Sequence, residues 1–406
     1  MIETKEALPR AAALQLLGRL KQGRNVVFGA SIFSVGREQW FRGADQVFDD
    51  IELTGDSVVR FIRGDYGVGK TNFAARLFEN ALKRGWAAAY IELSEQVTLY
   101  EFHQLFAQIT EKLYLPEQLN YVEGLTSRAD GLVGALEAFY KKTRTSIGLG
   151  AGADISASAR NELLHRVNLL LQSGRIFGDF ANAVRLYFEG RLDGNHGLCV
   201  LAGKWFRAEP DGRMPGTLRP ITKVTGKDSL RSLSALLQGM GYRGTLIIID
   251  ELERIMEEPK LRRRKSYTIL RELIDNVDGE NGMKTSCLYA AAPPGQFESA
   301  QGFIEVEALA SRIQAPILNS GGVDYTAAIV DLDSAPLTTE QQLELAKNLR
   351  SLHGRAREWD PEKYISDSVL LTLVAAINAK RNVSRLRVRE LCIEVVSTLE
   401  KAFATR

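Results

Sequence analysis

Cysteine is scarce: Cys199, Cys287 and Cys392 are the three in 406 residues, far apart and in no Cys-x-x-Cys pair. A disulfide framework is therefore excluded, and with no histidine at metal-ligand spacing a structural zinc site is not expected. Histidine is almost as rare. His103, His165, His196 and His353 lie scattered, without the serine, cysteine or carboxylate spacing of a triad, so each reads as an ordinary surface or core residue. Excess charge of one sign is also missing: 52 Lys+Arg against 50 Asp+Glu leave a net charge of +2. That excludes a histone-like blanket of positive charge but not a local basic patch. The longest apolar run, at 369–377, is interrupted by Thr372 and is too short to span a bilayer. The opening MIETKEALPR carries acids and lacks the apolar stretch of a signal peptide. No fixed-period repeat or long low-complexity tract is present. A soluble, cytoplasmic protein with no membrane partner is expected.

Hydrophobic residues make up 45% and charged residues 25%, enough for a sizeable core. At roughly 100–200 residues per domain, the length suggests two or three domains or one large module with a satellite. A helical segment at 7–21 carries Leu8, Ala12, Leu16, Leu17 and Leu20, and a loop with SVGRE (34–38) follows. Short apolar runs at 58–62, 87–93, 245–249, 286–291 and 327–332 read as buried strands, and 71–83 as a helix. The stretch from about 100 to 241 is mostly helical, with a glycine-rich loop at 148–158, and everything beyond Pro336 is helical. Thr338 and Gln341 form a Thr-x-x-Gln capping box there. The expected fold is α/β: a P-loop NTPase core with a parallel sheet, resembling the AAA+ type, with a large helical insertion and a C-terminal helical lid. The boundaries follow as 1–57 for the N-terminal helix and loop, 58–335 for the core, and 336–406 for the lid.

The strongest motif is GDYGVGKT at 64–71, which completes G-x-x-x-x-G-K-[ST] between a strand and a helix. Its glycines let backbone N–H groups curl around phosphate oxygens. The candidate nucleotide-binding residues are Gly64, Asp65, Tyr66, Gly67, Val68, Gly69, Lys70, Thr71 and Asn72. Lys70 neutralises β/γ-phosphates in such a loop, and the Thr71 hydroxyl ligates Mg²⁺. The second motif is TLIIIDELE at 245–253, a central strand ending in carboxylates. Asp250 is placed to hold Mg²⁺ and Glu251 to polarise the attacking water; alone, the same residues also suit a solvated helix start. About 180 positions separate Lys70 from Asp250, so the helical insertion between them is expected to serve a partner, a substrate or self-assembly. Its Trp205-Phe206-Arg207 cluster reads either as apolar packing or as an interface anchor.

Ring-forming ATPases complete each site with an arginine from a neighbouring subunit. Arg312 is the candidate within the core and Arg385 within the tail RNVSRLRVREL, although its neighbours Arg381, Arg387 and Arg389 dilute the choice. The densest basic run is KLRRRK at 260–265. Lys260, Arg262, Arg263, Arg264 and Lys265 are candidates for nucleic-acid phosphates; the alternative is a solvated face offset by Glu251, Glu253, Glu257 and Glu258.

Taken together, SVGRE, FIRGDYGVGKT, IIIDELE and SRLRVREL resemble the BREX-system ATP-binding proteins of the BrxD-like P-loop family. These are bacterial AAA+-type ATPases associated with anti-phage defence, and KWFRAEP and LTTEQQLELAKNLRSLHGRA extend the resemblance over most of the chain. The resemblance implies ATP and Mg²⁺ as ligands, with Val35, Gly36 and Arg37 on the adenine side and Arg385 as the lid arginine. It also implies a homo-oligomer working on foreign DNA or on protein partners such as a helicase or nuclease. A DNA-loaded clamp or loader, or a slow ATP-controlled oligomerising switch, are the alternative functions. One departure stands out. After the strand at 286–291 the family shows a polar residue before proline, where this chain has Ala291-Ala292-Pro293-Pro294. Thr285 and Ser286 lie too early to replace a γ-phosphate sensor, so slow or partner-dependent hydrolysis is implied.

Overall fold

Predominantly apolar strands need cover on both faces, which a parallel sheet between helical layers provides. The structure is a computed structural model that describes residues 8–119, 129–150, 155–172, 175–209, 211–216, 218–275, 282–313, 324–379 and 388–406. Its strands are β1 (Ser57–Arg63), β2 (Ala87–Glu92), β3 (Leu113–Tyr114), β4 (Thr245–Asp250), β5 (Ser286–Ala292) and β6 (Ile329–Asp331). They form one sheet in the order β3-β2-β4-β5-β1-β6. Every pairing is parallel except that of the two-residue β3 with β2.

Side chains alternate across the sheet. Leu246, Ile248, Tyr90, Tyr289 and Ala291 face one layer, which the helices Glu38–Thr54 and Lys70–Lys83 cover. Leu16, Leu17 and Leu20 of the N-terminal helix Arg10–Lys21 join Leu345, Leu349, Leu391 and Val395 of the C-terminal helices on that side. Ile247, Ile249, Leu288 and Ala290 face the other layer, built from the inserted helices and Lys260–Asp275.

Within the insertion, Trp205 and Phe206 are each 1% exposed. Trp205 packs edge-on against Phe106 and Phe180, Phe206 tilts against Phe180, and the Trp205 indole donates to the Arg219 carbonyl at 2.7 Å. Packing, rather than a surface anchor, accounts for the cluster; burial of each such side chain is worth about 1.5–3 kcal/mol.

The expected strands and the capping box of Thr338 with Gln341 are present. The helix Glu38–Thr54 is not evident from reading the sequence, because Gly43 and several acids interrupt its apolar stripe. Trp40, Ala44, Val47, Phe48 and Ile51 nevertheless recur at helical spacing and are buried. Gly43 is there for space: a Cβ would stand 2.1 Å from the Tyr325 carbonyl oxygen. At the other edge, β6 is shorter than expected and gives way to a 3₁₀ turn, Leu332–Ser334.

Candidate active site

The glycine loop leaves β1 at Arg63 and enters the helix Lys70–Lys83 directly. Gly67 and Gly69 turn it with φ values of 79° and 103°, a region that side chains resist. The Phe73 N–H donates to the Gly69 carbonyl at 2.9 Å, so the helix starts at the loop's end. Lys70 is buried, and its ammonium donates to the Gly64 carbonyl at 2.9 Å and to the Asp65 carbonyl at 3.4 Å. Burial pulls the Lys70 pKa down, against the opposing charges of Glu253, Asp250 and Glu251. The Tyr66 ring lies over the ammonium, its centroid 5.1 Å away.

β5 brings the two motifs together. Arg63 pairs in register with Ala292, and Ile249 with Ala290. The Gly64 N–H donates to the Ala292 carbonyl at 3.3 Å, and the Leu252 N–H to the Ala291 carbonyl at 3.1 Å. Loop and carboxylate turn thus lean on the same strand end, where three alanines let both approach. Asp250 is 1% exposed; one oxygen accepts from the Tyr90 hydroxyl at 2.7 Å and the other from the Glu251 N–H at 2.9 Å. Glu251 takes a left-handed backbone, φ 61°. Burial, then the neighbouring Glu253 and Asp250, pushes its pKa up to about 7.

Arg37 reaches the loop from the N-terminal side. It donates to the Val68 carbonyl at 2.6 Å and the Gly69 carbonyl at 3.4 Å. Burial and the nearby Arg76 lower its pKa to about 10. Asn72 bonds to the Ser34 hydroxyl at 2.7 Å, and Asp333 accepts from the Asp65 N–H at 3.1 Å.

A cavity of about 360 Å³ lies among these groups, a size suited to a small molecule. Tyr66, Gly67, Val68, Gly69, Lys70, Thr71 and Asn72 form its floor, and Glu251 and Glu253 one end. Ser34, Val35, Arg37 and the turn Gly23–Val26 form a second wall; Leu337, Leu345, Val388, Arg389 and Cys392 form the third. Gly36, Gly64, Asp65 and Asp250 support the cavity without lining it. Gly36 instead offers its carbonyl to Arg76 at 3.1 Å.

A family model for the BREX system ATP-binding protein BrxC/D matches residues 8–404. The chain belongs to this family. No curated protein matches it. Among the described residues of this BrxC/D family member, no helix is long and apolar enough to cross a membrane.

The remaining candidates stand apart from the cavity. Arg312 sits on the helix Glu307–Ile313, tied to Asp275 and, at 2.6 Å, to the Ala308 carbonyl. Arg385 lies outside the described residues, as do Arg381 and Arg387. Arg389 is described, lines the cavity and meets the Asn25 side chain at 3.3 Å. Lys260, Arg262, Arg264 and Lys265 are exposed on the first turns of Lys260–Asp275. Arg263 is not: it turns inward to Glu305 and, at 3.1 Å, to the Glu258 carbonyl.

Sequence reasoning missed Tyr90, Asp333, Asn25 and Glu253. Only Glu253 had a signal, its place in DELE. Three His, Cys, Asp or Glu side chains do not gather into a metal cage among the described residues. Mg²⁺ needs no such cage, since it takes few protein ligands and keeps much of its water. Thr71 and Glu253, which has an unpartnered buried oxygen, face the cavity.

Proposed function

We propose that this chain binds ATP with Mg²⁺ in the 360 Å³ cavity and hydrolyses it, serving as a motor or regulatory component of a BREX-type defence system. The observation that carries the reading is the convergence of Lys70 and Glu251 on one cavity closed by apolar side chains. The family description as an ATP-binding protein supports it.

In this reading Lys70 exchanges the Gly64 carbonyl for phosphate oxygens, and the loop N–H groups bind the rest of the phosphate chain. Thr71 would hold Mg²⁺, which would neutralise phosphate charge. Val35, Leu337, Leu345 and Val388 enclose the base, and Arg37 stiffens the loop beneath it. Glu251 accepts a proton from water as its oxygen attacks the γ-phosphorus; the bond to the bridging oxygen breaks, releasing ADP and phosphate. A carboxylate with a pKa near neutrality suits that role. Arg389, on the lid side of the cavity, joins Arg385 as a candidate lid arginine, and an arginine from a second copy, such as Arg312, completes an AAA+-like oligomeric site.

The test is Lys70→Ala beside Glu251→Gln in the full chain. Lys70→Ala weakens binding of a fluorescent ATP analogue at least tenfold, equivalent to about 1.4 kcal/mol. Glu251→Gln keeps binding and loses phosphate release. Hydrolysis at the wild-type rate in Glu251→Gln refutes the assignment of the base.

A second reading, a DNA-loaded ATPase, draws on the exposed cations Lys260, Arg262, Arg264 and Lys265 on the helix that follows the carboxylate turn. DNA-stimulated hydrolysis would favour it.

A further inference from the structure

Asp250, the carboxylate that the sequence assigns to magnesium, is buried beneath the site. Each of its oxygens accepts one hydrogen bond, from Tyr90 and from the Glu251 N–H, and it does not line the cavity. Three residues on, Glu253 is buried too, beside the Tyr66 hydroxyl, but it meets the cavity. It is 7% exposed, lines the cavity beside Tyr66 and Lys70, and its Oε2 is buried without a hydrogen-bond partner. Nor does it cap the short helix Arg254–Glu257 that it precedes.

The turn explains why. Leu252 is fully buried in the insertion-side core, and its N–H is held by the Ala291 carbonyl. With Leu252 pinned inward, Glu251 and Glu253 flank it and face the cavity together. A buried carboxylate oxygen lacking a donor is costly, so the position calls for a cation or a hydrogen-bonding water once the site is filled. Lys70 does not bond to this oxygen: its ammonium donates to the Gly64 and Asp65 carbonyls.

We propose that Glu253 is a further binding residue of this site, its free oxygen accepting from a water of the hydrated Mg²⁺ that accompanies the nucleotide. The inference rests on the ATP reading above. Removing an outer-shell partner of a metal weakens its binding roughly 10–100-fold.

The experiment is Mn²⁺ binding, followed by electron paramagnetic resonance, to the full chain saturated with the β,γ-imido analogue of ATP. Glu253→Gln should raise the apparent Mn²⁺ dissociation constant roughly tenfold. Its analogue affinity in EDTA should stay at the wild-type value, its melting temperature should not fall, and Glu253→Asp should recover part of the loss. Wild-type Mn²⁺ affinity in Glu253→Gln, with analogue binding intact, overturns the role of Glu253 and leaves the ATP reading standing. Failure of the wild-type chain to bind the analogue overturns both.

Discussion

Tyr90→Phe removes one oxygen atom and tests how the carboxylate end is held. The Tyr90 hydroxyl is the donor to Asp250 Oδ2 at 2.7 Å, and both residues are buried, Asp250 to 1% exposure. Burial, and then the charge and hydrogen bond of Asp250, raise the Tyr90 pKa well above its ordinary value, so the hydroxyl is a donor at any working pH. In the variant the ring still fills its place among Ala88, Ile248 and Phe78, and no cavity larger than a hydroxyl forms. What changes is that a buried, charged oxygen loses its donor, a cost of about 1–3 kcal/mol. Denaturant unfolding followed by circular dichroism should therefore show a stability loss of about 2 kcal/mol. Phosphate release should fall as well, because Asp250 also holds the Glu251 N–H at 2.9 Å. A loss below about 0.5 kcal/mol, the scatter of an ordinary surface substitution, refutes the reasoning.

Three further outcomes follow from the geometry. His353 is fully buried; its Nδ1 accepts from the Trp359 indole at 2.8 Å, and burial holds its pKa below the usual value despite the facing Glu400, with Arg357 and Lys21 adding to the decrease. The folded state then binds fewer protons than the unfolded chain, so stability is lost as pH falls through about 6.5 toward the folded pKa. The thermal midpoint should drop between about pH 7 and pH 5, and His353→Gln should flatten that slope; an unchanged slope refutes it. Changing Lys260, Arg264 and Lys265 together to Gln should reduce the salt dependence of any duplex-DNA binding by about 2–3 in log–log slope, without changing the melting temperature. Arg263→Gln should do the reverse, lowering the melting temperature by stranding Glu305, because Arg263 faces inward; equal effects from both sets refute the division between exposed and inward-facing arginines.

Much of the fold was legible because its signals are local. The strands are short apolar runs, GDYGVGKT couples glycine turns to a helix start, and Thr338 with Gln341 caps a helix within four residues. Helix Glu38–Thr54 was obscured because Gly43 reads as a breaker, and only the Tyr325 backbone packed against it reveals why no side chain is tolerated. The run at 260–265 illustrates the same limit: charge density is visible in sequence, but which cation turns inward depends on where Glu305 lies.

The chain alone therefore determined the residue types at the two ends of β1 and β4, since loop geometry and strand burial depend on neighbours in sequence. Tertiary structure decided everything that requires distant parts to meet. Parallel register along β5 sets Lys70 opposite Glu251 and Glu253, and the alanines of that strand allow the approach. Asp65 meets Asp333 across 268 positions, and Asn25 meets Arg389 across 364. Such contacts carry no local pattern; they follow from how the two helical layers close over the sheet, burying the apolar faces that bring the termini together above the glycine loop.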